Sequence, residues 1–370
     1  MSKSSNRDKS LDIFKGLCMA LIMILHLMGA NAPKWLSEWA NPFKLVGFFI
    51  VSGYLMSLKA KPEPKDLTEA IWHKWRSIMV PYITFSILAV IVKVLYCTNT
   101  LSGATSYSNV LISQTALLRG YSTLWFLPVL FLAECFLLVA LSAEALLPRG
   151  RTKILVATLH IAFVTTAMGL SLWLSPLSRP FIQVPTNSQL VANAILSWLR
   201  ALPAFVCVAV GYFAYAPILS LSKRHMGICI AIVLSFISIG ALTGHFINKI
   251  DWNNNVYGGN LPLFLLSGSL TSLGLMLAWN LVSKYLHMPC LTFIGINSLV
   301  LMATHLPLPM FEWTKLLSAK ILTCIPPLSC FMSSRPAIEA LWLFVIVMIL
   351  ELPLIIIFKY TPLRILIGKR

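Results

Sequence analysis

Apolar runs of membrane-spanning length recur from one end of this chain to the other, and nothing else in the sequence restricts its fold as strongly. A helix needs about 20 consecutive apolar residues to cross the hydrocarbon of a bilayer, where every backbone polar group must be paired within its own segment. Ten candidate spans reach or approach that length, at about residues 11–31, 43–58, 78–96, 124–147, 154–174, 201–219, 226–246, 261–282, 291–310 and 337–358. The second is short and contains Gly47, Ser52 and Gly53, which points to a kink or to packing deep within a bundle. The expected fold is all-α, a polytopic transmembrane helix bundle of about ten spans forming a single domain over residues 1–370.

Charge agrees with that reading. Only 11% of the residues are charged, against about a quarter in soluble chains, so the net charge of +17 belongs to loops between apolar runs and not to a nucleic-acid surface. With the N-terminus placed in the cytoplasm, the inner segments hold eighteen Lys and Arg residues and the outer segments nine. That bias supports an integral protein of a bacterial inner membrane with both termini cytoplasmic. The N-terminal run also imitates a signal peptide, since a basic lead and an apolar stretch precede Ala30-Asn31-Ala32, although Asp12 and Lys15 interrupt its start. The eight cysteines show no CxxC pair and no metal-ligand spacing, so no metal is expected. A bridge between Cys324 and Cys330 is open on spacing.

Ionisable residues inside apolar runs mark candidate chemistry because they are costly there. In the first run Asp12 and Lys15 are three residues apart and share a helix face, so they can pair. His26 follows Lys15 by eleven residues, close to three turns, and returns to nearly the same face roughly 16 Å further on. A histidine in this setting is expected to be buried, either hydrogen-bonded to a neighbouring helix or functional. His73-Lys74-Trp75-Arg76 lies before Pro81-Tyr82, where basic residues serve topology or an anionic ligand. Trp125 starts the fourth run and can stack on a ligand or anchor the helix at an interface. His160 and His245 read as structural, Glu351 requires a partner such as a basic group, and Asp251 to Asn260 (DWNNNVYGGN) reads as a surface turn more than as a sugar contact.

The motifs, taken in order, resemble the integral membrane acyltransferase family 3, in particular its fucose-acetylase-like and surface-polysaccharide O-acetyltransferase branch. They are Leu11-Asp12-Ile13-Phe14-Lys15-Gly16 with His26, then Phe48-Phe49 to Ser52-Gly53-Tyr54, then the basic stretch ending in Pro81-Tyr82. Leu124-Trp125-Phe126-Leu127-Pro128 follows, and Phe293 to Leu299 precedes His305 and Glu351-Leu352-Pro353. Two departures stand out. Lys74, Arg76 and Ser77 replace a pair of arginines common in the family, and lysine lacks the planar fork of arginine. Leu130 stands where some relatives have a glutamate, and Glu134, one turn later, is not taken as its equivalent.

The resemblance implies transfer of an acyl group, usually acetyl, from cytoplasmic acetyl-CoA to a hydroxyl of a glycan or lipid-linked sugar. No cofactor is bound permanently; the partners are acetyl-CoA, the glycan acceptor and membrane lipid. His26 with Asp12 and Lys15 carries the catalytic role, and a histidine suits deprotonation of a hydroxyl attacking a thioester. Lys74 and Arg76 bind the donor phosphates; Trp125, Ser52, Asn297 and His305 face the substrates. Two other classes remain open on the sequence: a proton-coupled transporter using the Asp12, Lys15 and His26 stripe, and a structural or regulatory membrane protein.

Overall fold

The computed structural model of the protein describes residues 8–59, 63–97, 112–145, 153–174, 187–247, 250–325, 327, 331–332 and 335–368. Helix α1 (Lys9–Met28) starts on Asp8, whose carboxylate accepts from the Ser10 amide at 2.9 Å, and stops at Gly29, where φ is 54°. Next come α2 (Lys34–Ser57), α3 (Leu67–Lys74), a π-helical turn Trp75–Met79 and α4 (Val80–Cys97). A single 3₁₀ turn, Ser122–Trp125, leads into α5 (Phe126–Ala145), followed by α6 (Lys153–Leu174), α7 (Asn187–Arg224) and α8 (Met226–His245). An antiparallel hairpin of β1 (Ile250–Asp251) and β2 (Val256–Tyr257) sets Ile250 opposite Tyr257. The chain ends with α9 (Leu261–Val282), α10 (Pro289–Ile296), α11 (Ser298–Thr304), α12 (Met310–Cys324) and α13 (Pro336–Tyr360).

Among the described residues seven helices are long and apolar enough to cross a membrane: Lys9–Asn31, Leu67–Leu95, Ser122–Glu144, Asn193–Ser220, Met226–His245, Leu261–Val282 and Pro336–Tyr360. The other three expected spans differ for identifiable reasons. The run at 43–58 is the later part of α2, which contains Lys44 and is preceded in the same helix by Lys34 and Glu38. The run at 154–174 lies in α6, which contributes the shorter apolar helix Thr158–Trp173. The run at 291–310 is broken between α10 and α11 at Asn297, whose side-chain amide donates to the Phe293 carbonyl at 2.8 Å. Interrupted helices in a membrane bundle occur where the freed backbone is enclosed by protein, and Asn297 is indeed buried.

Helix α1 is the hub, packed against α2, α9, α10, α11 and α13. Glycine makes its contact with α10 possible: a Cβ on Gly16 would stand 1.9 Å from the Leu291 carbonyl oxygen, and one on Gly295 would stand 1.8 Å from that of Asp12. The crossing of α2 and α7 uses the same device, with Gly53 facing Val208 and Gly211 facing Ile50. Outward faces are apolar. Leu234, Leu242, Ile349 and Ile356 are all more than half exposed, which suits contact with lipid and not with water.

Candidate active site

The end of the bundle where α1 finishes gathers the residues with chemical potential. His26 lies two residues before the end of α1 and, contrary to expectation, its side chain is exposed. Two more residues of α1 and a 3₁₀ turn, Gly29–Asn31, follow it, and the imidazole stands in the wall shared by two cavities. One, of about 280 Å³, is lined by His26, Asn41, Lys44, Thr123, Trp125, Asp251, Trp252 and Asn253 among others. The second, of about 580 Å³, is lined by His26, Asn31, Lys315, Ser318, Glu339 and Leu343 with their neighbours.

Behind His26 stands His305, the ring centroids 5.9 Å apart. His305 is fully buried at the end of α11, and its Nδ1 lies 2.6 Å from the Leu301 carbonyl oxygen. A carbonyl can only accept, so Nδ1 carries the proton and Nε2 keeps its lone pair. That Nε2 is buried with no hydrogen-bond partner among the described residues. The residue before His305, Thr304, donates to Glu351 at 2.7 Å; among the described residues the partner of Glu351 is thus a hydroxyl and not a basic group.

The segment from Asp251 to Asn260 is not a plain surface turn. Trp252 is 1% exposed, and its ring contacts Phe49, Trp125 and Phe264. Asparagine permits the fold-back: Asn255 takes φ 54°, a left-handed conformation that asparagine tolerates. Two guanidinium groups hold the hairpin down. Arg119 donates to the Asn253 side chain at 2.6 Å, to the Asn254 side chain at 2.5 Å and to the Asn253 carbonyl. Arg200 donates to the Asn253 side chain at 2.7 Å and to the carbonyls of Leu118 and Arg119. Burial lowers the pKa of Arg119 to about 10, and the Asp251 carboxylate opposes this. Arg200 is itself 0% exposed, lies 5.5 Å from the Trp125 ring centroid, and accepts the Trp252 indole N–H on its carbonyl at 3.2 Å.

A second polar layer lies deeper. Glu134 follows Trp125 by nine residues along α5, about 13 Å. Its carboxylate takes Lys74 Nζ at 2.8 Å and a hydrogen bond from the Ser52 hydroxyl. Ser52 is therefore engaged with Glu134 and does not stand in the wall of the His26 cavities. Lys74 is engaged too, while Arg76, within the π turn, has no ion-pair partner among the described residues. At the start of α1 the expected pair exists: Lys15 Nζ is 2.9 Å from Asp12. Fourteen residues, about 21 Å of helix, separate Asp12 from His26, so these residues do not meet at one point. Asn297 turns its side chain back onto α10 and so caps a helix break.

Trp125 and His305 both lie near His26, Trp125 in the wall of the smaller cavity and His305 behind the ring, and His160 and His245 pair with Glu144 and Glu38. Arg119, Arg200 and Lys44 lie at the edges of apolar runs, where a basic residue ordinarily serves topology, so the sequence alone does not set them apart. Cys330 lies outside the described residues, so the bridge to Cys324 is not placed.

A bundle of this kind, with cavities converging on a histidine at a helix end, defines a polytopic integral membrane protein with an internal site. A family model described as an acyltransferase domain matches residues 8–360, and the chain belongs to this family, the acyltransferase family 3. No curated protein and no solved structure matches the chain.

Proposed function

We propose that this membrane acyltransferase moves an acetyl group from cytoplasmic acetyl-CoA to a hydroxyl of a cell-surface glycan or its lipid-linked precursor. The observation that carries the reading is His26 opening onto a cavity walled by Trp125 and Trp252, aromatic faces suited to a sugar ring, with His305 directly behind it. In this reading both termini are cytoplasmic, the membrane is a bacterial inner membrane, and the His26 end of the bundle faces outward. The inward bias of Lys and Arg supports that orientation.

The chemistry is general base catalysis. His26 takes the proton of the acceptor hydroxyl as its oxygen attacks the thioester carbonyl; the C–O bond forms, the C–S bond breaks, and His26 returns the proton to the departing sulfur. A positioned base of this type contributes about 10²–10⁴-fold. Donor phosphates bind at the opposite end, where Arg76 is the principal cation because Lys74 is already held by Glu134. Asp12 and Lys15 secure the donor end of α1 and act on His26 only by positioning that helix. The transporter reading finds less support: between Lys15 and His26 the helix carries only Gly, Leu, Cys, Met, Ala and Ile, with no charged step for a proton path.

Mass spectrometry of surface glycans from deletion and restored strains tests the proposal. An acetyl increment that disappears on deletion and returns on restoration supports it, and identical spectra overturn it.

A further inference from the structure

We infer that the acceptor entering the smaller cavity carries an anionic group, a phosphate or a carboxylate, and that Lys44 is its primary contact. The inference rests on the acyltransferase reading, since it concerns the acceptor of the His26 site. Lys44 lines the cavity of about 280 Å³ together with His26, and among the described residues no carboxylate lies within ion-pair distance of its ammonium. A cation enclosed by a bundle and left unpaired is expensive, and an arriving anion relieves that cost.

Charge behind the wall points the same way. Arg119 and Arg200, both less than 10% exposed, end on neutral oxygens of Asn253, Asn254, Leu118, Arg119 and Ser197, and Arg200 Nε has no partner among the described residues. Neutral acceptors satisfy the hydrogen bonds of a guanidinium without cancelling its charge. Among the described residues Asp251 is the one carboxylate lining the cavity, and it accepts from the amide and side chain of Asn254 at 3.3 and 2.7 Å. Three cations against one carboxylate leave a positive potential at a cavity whose walls also offer Trp125 and Trp252 for stacking. Its volume is close to the lower limit of small-molecule sites, about 300 Å³, so it takes one unit of a glycan with its charged substituent.

The full chain in nanodiscs is titrated calorimetrically with glucose, glucuronate and glucose 1-phosphate. The expected result is that at least one anionic sugar binds about tenfold or more tightly than glucose, the scale of one charge-assisted hydrogen bond. Which anion wins separates carboxylate from phosphate. Lys44→Gln is expected to remove that advantage while Lys44→Arg keeps it, and elution of both variants as monodisperse particles shows that they fold. Equal binding of glucose and both anions, no binding of any of them, or an unchanged preference in Lys44→Gln overturns the inference. His26→Ala separates the two ideas, because it leaves the anion preference intact even as acyl transfer is lost. An anion preference in a protein that transfers no acyl group leaves the charge inference standing and sinks the acyltransferase reading.

Discussion

Replacing Gly295 with alanine tests the packing that sets α1 in place. The added Cβ would lie 1.8 Å from the Asp12 carbonyl oxygen, 2.8 Å from its carbon and 2.9 Å from the Gly16 amide nitrogen, all backbone atoms that no rotamer change can move. Ordinary nonbonded contact needs about 3.5 Å, so α1 and α10 must separate by roughly 1.5 Å or more at this level. Overpacking of this kind costs about 1–3 kcal/mol. The reciprocal Gly16→Ala acts at the same crossing, and the pair is not additive. Gly169, on α6, is the control, because a Cβ there meets nothing within 4 Å. The assay is thermal unfolding of the detergent-purified protein followed by fluorescence-detected size exclusion. Gly295→Ala and Gly16→Ala are each expected to lower the transition temperature by several degrees, and Gly169→Ala to leave it unchanged or slightly raised through better helix propensity. A Gly295→Ala protein as stable as the parent refutes the close crossing and, with it, the placement of His26 by α1.

Other outcomes follow from the deeper layer and from the rim. Lys74→Ala leaves Glu134, 3% exposed, without its cation and is expected to destabilise the protein by about 3 kcal/mol; the Lys74→Ala, Glu134→Ala double variant, measured in the same unfolding assay, recovers much of the loss. Arg76→Gln is expected to raise the KM for acetyl-CoA roughly tenfold with kcat little changed, the signature of lost ground-state binding. The Glu38 carboxyl is held below its ordinary value of 4.5 chiefly by its hydrogen bond with His245. A depressed carboxylate contributes stability at pH above 4.5 and loses it as the pH falls through the lower folded value, so Glu38→Gln is expected to flatten the acid limb of a stability-against-pH curve.

Features set by local spacing were legible in the sequence. Asp12 and Lys15 pair because residues three apart meet on any helix, and the family motifs carried His26, Trp125 and His305 to one end of the bundle. Features that depend on distant parts of the chain were not. Arg119 and Arg200 look like boundary charges until Asn253 folds between them, and Trp252 looks like a loop residue until Phe49 and Phe264 enclose it. Hydropathy runs smoothly through residues 291–310, so the break at Asn297 leaves only a faint trace in composition. The role of Glu134 is hidden in the sequence because its partners, Ser52 and Lys74, lie 82 and 60 positions earlier in the chain. His26, expected to be enclosed, opens instead into two cavities, since an apolar run does not show which of its positions face a cavity.

The central claim is that His26 takes the proton of the acceptor hydroxyl, and it is tested most directly by transfer of labelled acetyl from acetyl-CoA to the glycan fraction in membranes holding equal amounts of parent and His26→Ala protein. The account predicts label in the parent and a fall of about 10²–10⁴-fold in the variant, with the variant still unfolding at the parent's temperature. Undiminished transfer by a folded His26→Ala protein contradicts it.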